Sequence, residues 1–127
     1  MGMMKPSHGF LPLTPYFTVE DADALIRFCK VVFAARILKD SRYEDGTVQH
    51  ARLQINDSLI MLNQATEQFT ATVSQMHLYV DDVGATYHLA LREGATSLMA
   101  PMRRPHGDQM AGFVDPTGNF WWVASSG

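Results

Sequence analysis

A single cysteine, Cys29, stands among the 127 residues, which excludes an internal disulfide and any cysteine-built metal cluster. One thiol and no disulfide framework point to a reducing, cytoplasmic setting. Charge is sparse too: 10 Lys and Arg against 13 Asp and Glu leave a formal net charge of −3, so there is no basic footprint and nucleic acid is not an expected partner. No apolar run approaches the roughly 18 residues of a membrane-crossing helix, so no membrane partner is expected. A glycine-rich phosphate loop, a low-complexity tract and a block of like charges are also absent. Residues 1–10 lack the apolar stretch of a signal peptide and, with Gly2, Pro6 and Gly9, read as a flexible leader.

What the chain does have is 46% apolar and 10% aromatic residues, enough for one packed domain over residues 1–127. Its eight methionines suit adaptable core and pocket filling. The main internal signal is a repeat. Val19-Glu20-Asp21-Ala22-Asp23-Ala24 is echoed by Val80-Asp81-Asp82-Val83-Gly84-Ala85, and 80 − 19 = 61. The same offset carries Gly46 onto Gly107 and Asn56 through Met61 onto Thr117 through Trp122. Two copies of about 60 residues are too few for a solenoid, and each buries too little surface to stand alone comfortably, so they are expected to share one fold. Paired modules leave a cleft between them, the usual place for a small molecule.

Each copy reads as β-α-β-β-β, an α+β pattern, with module 1 at about 11–66 and module 2 at about 72–126. In the first, Leu11 to Val19 has strand character, and Leu25, Phe28, Cys29, Val32 and Phe33 recur at helical spacing behind an Asp21 cap. Arg36 to Lys39, Thr47 to Ile55 and Ser58 to Asn63 read as strands, and Gln64 to Thr72 as a polar linker. In the second, Val73 to Val80 is a strand and Asp82 caps a helix with an inner stripe of Val83, Tyr87, Ala90 and Leu91, which Gly94 should end. Ser97 to Met99 is a short strand, Pro101 to Asp108 a loop, and Gln109 to Val114 and Asn119 to Ser125 the closing strands.

This order resembles the vicinal oxygen chelate superfamily, the glyoxalase, bleomycin resistance protein and dioxygenase group, with its PhnB-like branch the nearest in pattern. The residues that carry the resemblance are Thr14-Pro15-Tyr16-Phe17-Thr18-Val19, Phe28 through Ala35, Asp45 through Ala51, and Gly107-Asp108 through Asp115-Pro116-Thr117-Gly118-Asn119. The resemblance implies two tandem βαβββ modules whose sheets form a cup with the helices outside, and a homodimer in which one subunit helps close the other's cup. It also implies metal-ligand positions on the first and last strand of each module, which fall at Thr14, Met61, Gln75 and Trp122 in this chain. A hydroxyl, a thioether, an amide and an indole stand where divalent metals need imidazole or carboxylate, so neither a metal nor any other cofactor is expected.

Strand alternation sorts the remaining residues without reference to any family. Leu13, Pro15, Phe17 and Val19 form one apolar set, and Ala51, Leu53 and Ile55, Ile60 and Leu62, Met76, Leu78 and Val80, and Trp121 and Val123 the others. The opposite face then carries Tyr16, His50, Arg52, Met61, Asn63, Gln75, His77, Tyr79, Phe120 and Trp122, the expected ligand-binding set. Without Lys or Glu, such a face reads as a concave site for a planar or aromatic molecule, with Arg52 its only fixed cation. His50 and His77 suit acid–base work, although no carboxylate is expected on that face to orient them. His106 and His88 read as surface residues, and Cys29, on the buried helix stripe, as an inert core thiol. Three functions stay open: metal-free binding of a small aromatic compound, as in drug or toxin sequestration and antibiotic resistance; a lyase, isomerase or dioxygenase-type enzyme with a non-standard site; and a non-catalytic interaction module.

Overall fold

The computed structural model describes residues 12–126, so the expected leader lies outside the described residues. The order is β1 (Tyr16–Val19), α1 (Ala22–Phe33), β2 (Arg36–Arg42), β3 (Val48–Ile55) and β4 (Ser58–Gln64). It repeats as β5 (Gln75–Tyr79), α2 (Val83–Arg92), β6 (Thr96–Arg103), β7 (Gln109–Val114) and β8 (Phe120–Ser125). Two four-stranded sheets result, ordered β1-β4-β3-β2 and β5-β8-β7-β6, in agreement with the expected α+β class and its two βαβββ modules.

The repeat survives into the strand register. Tyr16 pairs with Met61, and His77 with Trp122; 16 + 61 = 77 and 61 + 61 = 122. Farther across the sheets the offset drops to 60. Arg52 pairs with Met61 and Lys39 with Arg52, and their counterparts are Gly112 and Met99, since 52 + 60 = 112 and 39 + 60 = 99. One row of the first sheet is thus Tyr16-Met61-Arg52-Lys39, and the matching row of the second is His77-Trp122-Gly112-Met99.

Both helices start where the sequence says. The Asp21 carboxylate accepts from the Ala24 N–H at 3.1 Å and the Asp82 carboxylate from the Ala85 N–H at 3.0 Å, caps worth about 1 kcal/mol each. The α1 stripe of Leu25, Phe28, Cys29, Val32 and Phe33 is buried, as are Val83, Tyr87 and Ala90 of α2, and Gly94, at φ +99°, ends α2. The helix-facing sides of the two sheets share one core. Phe17 of β1 stacks on Trp121 of β8 at 5.7 Å, and Phe33 of α1 lies 4.7 Å from Trp121. Burying each of Trp121, Phe17, Phe28 and Phe113 stabilises by about 1.5–3 kcal/mol, and the stacking joins two halves that would each be small. Asp115, also buried, accepts from the Trp121 indole N–H at 2.7 Å, the Thr117 N–H at 2.7 Å, the Thr117 hydroxyl at 2.6 Å and the Asn119 N–H at 3.2 Å. Its charge is thereby satisfied by donors.

Since the helix-facing sides meet in that core, the opposite faces look outward, and the two sheets of one chain are not closed around a common space. No helix of the described residues is long and apolar enough to cross a membrane.

Several boundaries differ from expectation. β1 is short because Pro15 has no N–H for the ladder, although its carbonyl accepts from the Met61 N–H at 2.9 Å. Leu13, expected in the apolar set, lies before the strand and is 87% exposed. Gln64 belongs to β4 instead of the linker: its side chain accepts from the Ala22 N–H at 2.9 Å and donates to the Glu20 carbonyl, tying β4 to the start of α1. β2 and β6 run farther than expected because register shifts, at Ile37/Lys39 and Ser41/Arg42 in one and around Met99 in the other, break their alternation. The expected loop from Pro101 shrinks to a turn at Arg104–Asp108, and Pro101 is tolerated because β6 is an edge strand.

Candidate functional site

The outward face of the first sheet carries Tyr16, His50, Arg52, Met61 and Asn63. The Tyr16 hydroxyl lies 3.0 Å from His50 Nδ1, with the rings 5.7 Å apart. Burial, then the nearby Lys39 and Arg52 charges, hold the imidazole below its usual 6.5, so it is neutral at pH 7. Burial and then Tyr43 push the Tyr16 phenol up, so it keeps its proton. Asn63 Oδ1 is buried and accepts no hydrogen bond from the described residues. The expectation of a lysine-free face fails: Lys39 pairs directly with Arg52 across β2 and β3. Two cations opposed in this way repel. The bulge at Ile37/Lys39 concealed this position, because it breaks the alternation that would have assigned Lys39 to the face.

The outward face of the second sheet carries Gln75, His77, Tyr79, Phe120 and Trp122, and its centre is the Trp122 indole. A methyl group on Gly112 would sit 2.4 Å from Trp122 Cζ3 and 2.5 Å from Cε3, so the ring lies flat against the backbone of β7 where only glycine leaves room. The indole N–H donates to Gln75 Oε1 at 2.7 Å, which fixes the orientation of the ring. Around it is an open cavity of about 380 Å³ lined by His77, Met99, Arg104, Met110 and Trp122. Arg104, on the turn after β6, donates to Met102 Sδ at 3.7 Å and forms no ion pair among the described residues. His77 meets Tyr79 edge to face at 5.1 Å, and the Tyr79 hydroxyl donates to Asp108 Oδ2 at 3.3 Å. A carboxylate therefore does reach this face, contrary to expectation, although it engages Tyr79 and approaches His106 and not His50 or His77.

The ten expected residues fall into two groups of five, one on each sheet, and a single chain does not bring the groups together. A smaller cavity of about 170 Å³ between the sheets is lined mainly by apolar side chains, among them Leu13, Pro15, Ile60, Met76, Leu78 and Trp121, with Thr14 and His77 also on its wall. Sequence reasoning missed Lys39, Met99, Met110, Arg104 and Gly112. Gly112 had left a sign: a glycine inside a strand marks close approach by another group.

The four inherited ligand positions do not suit a metal. Gln75 and Trp122 are bonded to each other, Met61 sits between Tyr16 and Arg52, and Thr14 lies ahead of β1. No group of three or more His, Cys, Asp or Glu comes together among the described residues. Cys29 is buried, and desolvation, followed by the charge of Asp115, pushes its thiol far up, so it is no nucleophile. His88 and His106 are exposed, as expected.

With this geometry in hand, comparison with known proteins gives consistent results. A sequence profile of the Glyoxalase/Bleomycin resistance protein/Dioxygenase superfamily matches residues 12–123. The uncharacterised protein Mb0911c of Mycobacterium bovis is 33% identical over 120 residues, covering 86% of this chain and 79% of its own length. Among solved structures, TioX from Micromonospora sp. ML1 superposes with a TM-score of 0.76 at 22% identity, over 89% of this chain and 96% of TioX. A PhnB protein from Bacillus cereus gives 0.74 at 20% identity, over 90% and 98%. The fosfomycin resistance protein FosX from Mesorhizobium loti gives 0.67 at 17% identity, over 91% of each chain. At these identities the structural likenesses establish the fold alone.

Proposed function

The chain belongs to the Glyoxalase/Bleomycin resistance protein/Dioxygenase superfamily, and we propose that within it this protein binds a small planar or aromatic organic molecule without a metal, as a cytoplasmic sequestering protein. One observation carries the reading: the Trp122 indole is laid flat over Gly112 and held by Gln75. An aromatic ring immobilised in this way offers a stacking surface whose ordering cost has already been met in the free protein. Trp122 and its partner Gln75 together occupy two of the four positions that the family resemblance implies for metal ligands, so those side chains build an organic surface instead of an ion site. FosX, by its name a fosfomycin resistance protein, shares the fold, and a part in drug or toxin resistance is the role we propose to test for this chain.

The assembly that suits this reading is a homodimer. Each sheet presents half of a cup outward, and β1 and β5 are the end strands of their sheets, with the Thr72 N–H donating to the Thr18 carbonyl of β1 at 3.1 Å. On or near those strands Leu13, Tyr16, Phe69, Val73 and Tyr79 are all exposed, apolar surface suited to a second copy. A partner's first sheet set against the second sheet would unite the two groups of five residues. Thermal-shift screening against planar antibiotics and metabolites should give stabilising compounds, since a ligand selective for the folded state raises stability by mass action. No hit across a broad panel overturns the binding reading, and a monomer by light scattering removes the dimer.

A second reading has one specific observation behind it. The Tyr16–His50 contact pairs a neutral imidazole with a protonated phenol on the outward face, an arrangement able to pass a proton to or from a bound molecule. A cofactor-free lyase or isomerase would use it, and turnover abolished by Tyr16→Phe would favour that reading over sequestration.

A further inference from the structure

Resting on the reading of the second sheet as a site for planar molecules, we infer that its ligand is an aromatic anion: an aromatic ring stacked on Trp122 and a carboxylate held by Arg104. The cavity supplies both halves of such recognition. Trp122 gives a fixed flat surface, and Met99 and Met110 flank it with polarizable thioethers that tolerate many ring shapes. Arg104 is half-buried on the wall of the same cavity, with a thioether as its hydrogen-bond acceptor and no carboxylate in ion-pair range among the described residues. A guanidinium beside an aromatic platform and without a counter-anion matches the planar, two-oxygen geometry of a carboxylate.

The neighbouring charges do not cancel it. Asp108 is engaged by the Tyr79 hydroxyl and lies 3.9 Å from His106 Nδ1, while Arg103 donates to the Gly107 carbonyl at 3.1 Å. The chain as a whole is acidic, at −3, so a cation on this wall is a local feature and not the spill-over of a basic protein. A neutral planar ligand would stack equally well but would leave the Arg104 charge partly desolvated beneath it, which disfavours such a ligand.

The test uses the full chain and two probes of matched shape, 2-naphthoate and 2-naphthamide, titrated calorimetrically into the wild type and into Arg104→Gln, with folding of the variant verified by circular dichroism. The naphthoate should bind at least about tenfold more tightly than the amide, the range of one charge-assisted contact, and that ratio should fall toward one in Arg104→Gln. Equal affinity for acid and amide in the wild type overturns the anion inference and leaves the planar site standing. A tenfold ratio that survives in Arg104→Gln overturns the assignment to Arg104. If neither probe binds while compounds from the planar panel still do, the inference fails alone; if the panel is empty as well, the underlying reading falls with it.

Discussion

Replacing Gly112 with alanine tests the Trp122 platform by adding one carbon. The new Cβ would stand 2.4 Å from Trp122 Cζ3, whereas carbon atoms rest at about 3.5–4.0 Å, so the ring must retreat by about 1 Å or swing away. Either movement breaks the 2.7 Å bond to Gln75, a loss of about 0.5–1.5 kcal/mol at most, because the pair is exposed and water replaces the partner. Against this, alanine in place of glycine within a strand stabilises by about 0.5–1 kcal/mol. The two terms nearly cancel, so urea denaturation should place the variant within about 1 kcal/mol of the wild type. Binding should not be spared: a lost aromatic stack is worth about 0.5–1.5 kcal/mol, a weakening of about 2- to 12-fold for any planar compound found in the screen. Circular dichroism and calorimetric titration on the same preparation separate the two effects. Unchanged affinity at unchanged stability would refute the claim that Gly112 exists to seat the indole.

Three further outcomes follow from the geometry. Cys29 should resist a thiol reagent in the folded protein and react only when denaturant exposes it; rapid labelling of the native chain would contradict its burial. Asp115→Ala should cost more than about 3 kcal/mol in urea denaturation, since it orphans the buried Trp121 indole N–H and removes a charged acceptor from three other donors, with Asp115→Asn costing less. His50, held below 6.5 in the fold by burial and then by Lys39 and Arg52, takes up protons more readily in the unfolded chain, so its contribution to stability is lost as pH falls below about 6.5. Denaturation at pH 7 and pH 5 should therefore show a smaller loss in His50→Gln than in the wild type, and equal losses would remove His50 from this linkage.

Much of the fold was legible because it is written twice. The offset of 61 reappears as strand register, Tyr16 with Met61 and His77 with Trp122, so the repeat in the sequence is a repeat in the ladder. Alternation sorted β3, β4 and β8 correctly, since in each strand one face meets the helices and the other does not. It failed at the edge strands β2 and β6, where bulges shift the register and period-two reading loses its phase; Lys39 and Met99 were missed for that reason. Arg104 was hidden by the overlong loop drawn from Pro101. The buried cluster around Asp115 was not legible, because the Trp121 indole reaching back over six residues leaves no mark in a linear pattern. That the two outward faces look away from each other was also out of reach, since it depends on Phe17 stacking against Trp121 across the halves.

The measurement that bears most directly on metal-independent binding is a tryptophan-quenching titration of planar compounds run in parallel in EDTA and in zinc, manganese or nickel. Trp121 is sealed in the core and Trp122 lies on the cavity wall, so Trp122→Phe serves as the reference. Binding of the same strength in every buffer, with the quenching lost in Trp122→Phe, is the predicted result. Binding that vanishes in EDTA and returns with a divalent metal would contradict it.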